Sequence, residues 1–214
     1  MGSPARPRLR RKEARPGELL SAALDTFREK GFAATRMDDI AARAGVSKGT
    51  IYLYYPSKEA VFEAMVRANL LPNIERMEAA IADEERSSAD RLRLLVTAFG
   101  EIAGDARLVA VPKLVLAEAG NFPEMARFYR HEVIGRALSL VSGVLEAGMA
   151  HGEFRRLDAA LTARLFLAPV IVAALWQTTF VPVEDAPVPP ADLLRLHLDL
   201  FLRSIAADAS GGAP

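Results

Sequence analysis

Residues 47–54 read Ser, Lys, Gly, Thr, Ile, Tyr, Leu, Tyr, a set of groups suited to contact with a nucleic acid. The ammonium of Lys48 can donate to a guanine edge or a phosphate, and the hydroxyl of Thr50 to either. Tyr52 offers a ring and a hydroxyl, and Leu53 an apolar surface for a thymine methyl. Gly49 carries no side chain that would hold the backbone away from a groove. At 100° per residue, with Ile51 turned inward, Lys48, Gly49, Thr50, Tyr52 and Leu53 share the outward face, while Tyr55 returns to the side of Ile51.

These groups read bases only if a short helix holds them, and the flanking residues supply one. Ser47 is an N-cap for residues 48–54. Upstream, the hydroxyl of Thr35 can cap another helix, with Asp38 three residues on completing a capping-box pattern. Met37, Ile40, Ala41 and Ala44 then fall on one face. Gly45 stands where the chain must turn, a place for the left-handed backbone, and Val46 follows as a core plug. A small residue at 41, a turn glycine at 45 and an apolar anchor at 51 make a helix-turn-helix pattern, whose second helix enters the DNA major groove. The candidate contacts are Thr35, Arg36, Ser47, Lys48, Gly49, Thr50, Tyr52, Leu53, Tyr54 and Lys58.

The stretch resembles the DNA-binding domain of the TetR/AcrR family of bacterial one-component transcriptional regulators. The likeness rests on Phe27, Gly31, Thr35, Ile40, Ala41, Ala44, Gly45, Val46, Ser47, Gly49, Ile51, Tyr52, Tyr54, Tyr55, Lys58, Glu59 and Phe62. Tyr54, where many members carry histidine, and Pro56 depart from it. The rest of the chain is similar to the family in length and helical character, and more loosely around residues 116–128 and 152–166. The resemblance implies an operator-binding head, a helix over residues 57–82 linking it to a ligand domain, and release from DNA by a small molecule.

Composition is that of an ordinary globular protein, 51% hydrophobic and 25% charged, with ample length for a buried core. The absence of cysteine excludes disulfides, thiolate catalysis and zinc–thiolate sites. Net charge is zero, yet residues 1–60 hold 12 Lys or Arg against 7 Asp or Glu, leaving a head near +5 and a body near −5. That asymmetry suits DNA at one end only.

The fold expected is all-α: an N-terminal three-helix helix-turn-helix DNA-binding domain and a C-terminal helical ligand-binding and dimerisation domain, about nine helices in all. Residues 1–15 read as a flexible basic arm, either a solubilising tail or a clamp on phosphates through Arg6, Arg8, Arg10, Arg11 and Lys12, and they lack the apolar run of a secretory signal. Residues 16–62 form the head, 63–207 the helical body and 208–214 a frayed tail. Within the body the helices fall near 90–103, 107–119, 124–150, 158–180 and 192–206.

An apolar effector pocket is expected from Phe99, Ile102, Leu116, Asn121, Phe122, Met125, Phe128, Tyr129, Trp176 and Gln177. A homodimer interface of four helices is expected from Leu161, Leu165, Ala168, Val172, Leu175, Leu194, Leu198, Phe201 and Ile205, because both late helices are too apolar for a monomer's surface. The uncharged run 165–183 is long enough for a bilayer, but Pro169, the polar trio Gln177, Thr178 and Thr179 and the lack of basic flanks favour an interface. His131, His151 and His197 lack ligand spacing, so no metal is expected, and no cofactor. With no phosphate loop and no nucleophile elbow, an enzyme acting on an apolar compound is the remote alternative to a cytoplasmic, ligand-responsive regulator of a double-stranded operator. The contact residues do not separate repression from activation.

Overall fold

The computed structural model describes residues 16–207. The expected arm 1–15 and tail 208–214 lie outside the described residues. The chain divides into two compact units after Ala68, some residues beyond the 62/63 boundary expected.

The first unit holds α1 (Pro16–Ala34), α2 (Met37–Arg43), α3 (Lys48–Tyr54) and α4 (Lys58–Asn69). Its centre is built from Leu19, Phe27, Phe32, Ile40, Ile51 and Phe62, all fully buried. The rings of Phe27, Phe32 and Phe62 stand 5.2 to 6.4 Å apart in tilted and edge-on pairs, the arrangement their quadrupoles favour. Gly31, with φ 76°, kinks α1 so that Phe32 turns back into this cluster. Ion pairs Lys30–Asp39 (2.8 Å) and Arg43–Glu29 join α1 to α2 at the surface.

The turn between α2 and α3 closes as a Schellman motif. Gly45, at φ 71°, donates to the Ala42 carbonyl (3.1 Å) and Val46 to that of Ala41 (2.9 Å), satisfying carbonyls the helix end would otherwise orphan. The start of α2 lies one residue later than the sequence reading. Arg36 is the N-cap, and its backbone N–H donates to Asp39 Oδ2 at 2.9 Å. Thr35 is buried instead, its hydroxyl donating to the Gly31 carbonyl at 2.6 Å.

The second unit begins with α5 (Leu71–Ala80) and α6 (Ser88–Gly104), followed by α7 (Ala110–Glu118) and α8 (Pro123–Tyr129). A π-helical stretch (Arg130–Gly135) leads into α9 (Arg136–Ala150), and α10 (Ala159–Thr179) and α11 (Pro190–Ile205) complete it. The nine helical runs read from the sequence are all present, the fourth in two parts. That helix was expected to continue from 57 to 82. It stops at Asn69 because Pro72, in the first turn of α5, has no N–H for the Ala68 carbonyl. No strand occurs among the described residues; one isolated bridge joins Phe154 to Ala206.

The core of this unit draws Leu92, Leu95 and Phe99 from α6, Val141 and Leu145 from α9, Phe166 from α10 and Leu194 and Phe201 from α11. Phe166 and Phe201 meet edge-on at 5.0 Å. Gly148 lies directly under the ring of Phe154, where a Cβ would come within 2.2 Å of ring carbon. The carboxylate of Glu153 accepts from the backbone N–H groups of Ser88 (2.8 Å) and Ala89 (3.3 Å), so a residue beyond α9 caps the start of α6. By length and composition alone, the continuous helix Pro123–Ala150 and α10 are long and apolar enough to cross a membrane.

Candidate nucleic-acid interface and effector cavity

Helix α3 is anchored at its start and at its centre. Ser47 Oγ accepts from the Thr50 N–H at 3.2 Å and shares a 2.8 Å hydrogen bond with the Thr50 hydroxyl, while Ile51 is fully buried. Ser47, Lys48, Gly49, Tyr52, Leu53 and Tyr54 are thereby left exposed, Leu53 at 85%. An apolar side chain so open on a short, well-anchored helix is consistent with a surface that meets a partner. Lys48 Nζ pairs with Asp38 Oδ2 at 3.0 Å, a link that raises the lysine's pKa and keeps it charged. Such an exposed pair contributes little and is readily exchanged for a phosphate. Arg36 is exposed at the start of α2.

Two expected contacts are placed elsewhere. Thr35 is buried and spent on the Gly31 carbonyl. Lys58 turns inward: its Nζ donates to the carbonyls of Phe32 (2.6 Å) and Ala33 (3.3 Å) and lies 4.4 Å from the centre of the Phe32 ring. A cation is favoured there by the carbonyl ends of a helix and by the ring face. Spacing reveals that a lysine lies near the head but not that a helix end competes for it.

In the second unit a cavity of about 140 Å³ lies among α5, α6, α7, the 123–150 helix and α10. Phe99, Ile102 and Tyr129 line it, as the sequence suggests. The rest of its wall is aliphatic, drawn mainly from Ile74, Met77, Leu108, Val133, Ile134 and Leu167. The other expected lining residues are placed elsewhere. Leu116 is 60% exposed, Asn121 is exposed and donates to Glu118 Oε2 (3.4 Å), and Phe122 and Phe128 are half-buried away from the cavity. Met125 is buried without lining it. Trp176 and Gln177 border a separate hollow beside Val188 and Leu193. There the Trp176 indole N–H donates to Glu184 Oε1 at 2.6 Å and its ring lies 4.6 Å from that of Phe180. The sequence reading favoured aromatics, whereas α5 and α10 turn branched aliphatics inward. A polar hollow of about 310 Å³ adjoins the cavity, sharing Met77, Ile102 and Leu108 with it and carrying Asn73, Arg76, Glu101 and Asp105.

The late helices sort into two faces. Leu194, Leu198, Phe201 and Ile205, expected at a subunit interface, are buried in the protomer's own core. The opposite side of α11 exposes Leu193, Leu196 and Leu200. On α10, Leu161, Leu165, Ala168 and Val172 are exposed, Leu165 at 68%, with Leu175 half-buried. Both exposed rows step by three and four residues, the spacing of a helix seam. Among the described residues no group of three or more His, Asp or Glu is placed to hold a metal ion. His197 Nε2 lies 3.0 Å from the Phe166 carbonyl, a packing role.

Known proteins resemble this chain in sequence and in fold. Residues 19–65 match the family model described as bacterial regulatory proteins, tetR family, and residues 90–203 match the AefR-like transcriptional repressor, C-terminal domain. The HTH-type transcriptional repressor KstR2 of Rhodococcus jostii is 31% identical over 167 residues, covering 77% of this chain and 80% of its own. The fatty acid metabolism regulator protein of Bacillus subtilis is 29% identical over 163 residues, covering 74% and 82%. The crystal structure of the transcriptional regulator FadR from Bacillus subtilis in complex with stearoyl-CoA superposes with a TM-score of 0.76 at 26% identity, covering 89% of this chain and 100% of that one.

Proposed function

Since the chain belongs to the TetR family of bacterial regulatory proteins, we propose that it is a homodimeric repressor which an apolar, acyl-bearing small molecule releases from a palindromic operator. The observation that carries the effector half of this reading is the largely aliphatic cavity lined by five helices. The relative solved with stearoyl-CoA supports an acyl group as its occupant. The adjoining hollow with Asn73 and Arg76 then receives the polar part of such a molecule, where the apolar lining ends.

At about 140 Å³ the cavity is smaller than the roughly 300–1,000 Å³ of typical ligand sites, so an effector of that size binds only to an opened state. That requirement supplies the switch. A ligand that prefers the opened state shifts the population toward it, and operator affinity falls by as much as the two states differ in their preference for DNA. On the DNA side, Lys48, Gly49, Thr50, Tyr52 and Leu53 read the major groove, with Arg36, Ser47 and Tyr54 beside them, and two heads span half-sites roughly 34 Å apart. The protein acts as a regulator in the cytoplasm and catalyses no reaction.

The test is anisotropy of a fluorescent duplex from the protein's own upstream region, at two salt concentrations, followed by titration of stearoyl-CoA. The expected result is sequence-selective binding that weakens with salt and is reversed by the acyl compound but not by coenzyme A. Selective binding that no acyl compound reverses would remove the effector class and leave the DNA-binding reading in place.

A further inference from the structure

Among the residues lining the cavity, Tyr129 alone carries a side-chain nitrogen or oxygen. It is 8% exposed, and its hydroxyl has no hydrogen-bond partner among the described residues. The hydroxyl oxygen is not fully closed off, so it keeps open surface at which a molecule in the cavity can meet it. Burial also pushes the phenol's pKa up, which keeps it protonated and able to donate at any physiological pH. The residue ends α8, immediately before the π-helical stretch whose Val133 and Ile134 form the neighbouring wall. Departures of this kind from α-helical winding are frequent at functional sites.

We propose that Tyr129 is the specificity-determining residue of the cavity, its hydroxyl donating a hydrogen bond to an uncharged oxygen acceptor carried within an otherwise apolar effector. The inference rests on the effector-cavity reading above and sharpens it: a pure hydrocarbon is not the effector, and neither is a molecule with an ionised group at this depth. No charged side chain lines the cavity to receive an ion, and a buried unpaired charge costs far more than an unpaired dipole. The carbonyl of an acyl thioester, an ester or an aryl ketone meets the requirement.

The cavity's volume sets the probes. An apolar protein cavity of roughly 150 Å³ admits benzene, so acetophenone and ethylbenzene, which differ at the carbonyl, suit a site of about 140 Å³. Binding of each to the full chain and to Tyr129→Phe is measured by ligand-observed NMR titration. The two proteins are first compared for thermal stability and operator affinity, which the substitution should preserve because the hydroxyl holds no protein partner. The preference for acetophenone over ethylbenzene should fall about three- to tenfold in the variant, the worth of one hydrogen bond, and ethylbenzene should bind the variant at least as well as the parent. An unchanged preference, with both probes bound, would overturn the role of Tyr129 and leave the cavity as an effector site. Failure of both probes to bind either protein would overturn the role together with the cavity reading.

Discussion

Single residues separate folding from reading in the DNA-binding head. Gly45 and Gly49 lie four positions apart, yet one is needed by the backbone and the other has open space around it. Gly45 sits at φ 71°, so Gly45→Ala should destabilise the head by about 1–2 kcal/mol. At Gly49 an added Cβ would meet only Ser47 Oγ, at 3.8 Å, and α3 would gain helix propensity. Gly49→Ala should therefore raise stability by about 0.5–1 kcal/mol in urea unfolding. Its operator affinity should nonetheless fall severalfold, because the methyl group stands on the face proposed to enter the groove. Tighter DNA binding by this variant would show that the backbone at 49 does not approach the duplex. Both glycines were legible in the sequence, since a turn glycine and a recognition-helix glycine have fixed places relative to Ile51. Thr35 and Lys58 were not, because their competing partners are backbone carbonyls at the kinked end of α1, and carbonyls have no sequence signature.

Among elements, the region around α6 depends on residues distant in sequence. Glu153 caps its first turn from 65 residues away. Burial tends to raise this carboxyl's pKa, but its hydrogen bonds from Ser88 and Ala89 outweigh that and leave the pKa below its ordinary 4.5. A folded-state pKa below the unfolded one contributes stability that is present above the unfolded value and lost as pH falls through the folded one. Stability measured from pH 7 down to 3 should therefore decline less steeply between pH 5 and 3 in Glu153→Gln than in the parent. At pH 7 the variant should be weaker by about 0.5–1 kcal/mol, the usual worth of an acidic group at a helix start. Equal slopes in the two proteins would remove the cap from the account. The same connection buries the Phe154 ring on Gly148, so Gly148→Ala should cost about 1–3 kcal/mol through overpacking although alanine is the better helix former. Helical spacing made α6, α9 and α10 legible in outline. It carried no hint of the glutamate cap, which is a tertiary contact with no local pattern.

For the whole molecule, the apolar character of α10 and α11 was legible, but its division between core and surface was not. Leu193, Leu196 and Leu200 alternate along α11 with Leu194, Leu198 and Phe201, so two interleaved apolar rows share one helix and composition cannot say which row faces inward. The buried row packs on Phe166 and Leu95, and the outer row, with Leu161, Leu165 and Val172 of α10, is left as a broad apolar surface. Two copies of this face pack as a four-helix seam in the proposed dimer. Leu165→Glu tests it. Because Leu165 is 68% exposed within one chain, the substitution should change protomer stability by no more than about 0.5 kcal/mol. In the dimer, however, it would bury charge against its own copy. Sedimentation at micromolar concentration should show the 23.2 kDa chain as a monomer in the variant and a dimer in the parent. Operator affinity should fall at least a hundredfold, since each head would then bind its half-site alone and lose the effective concentration that pairing supplies. Leu198→Glu makes the converse control: placed in the protomer core, it should unfold the second unit rather than dissociate the dimer, by burying an unpaired charge. A Leu165→Glu protein that stays dimeric with full operator affinity would move the interface off α10.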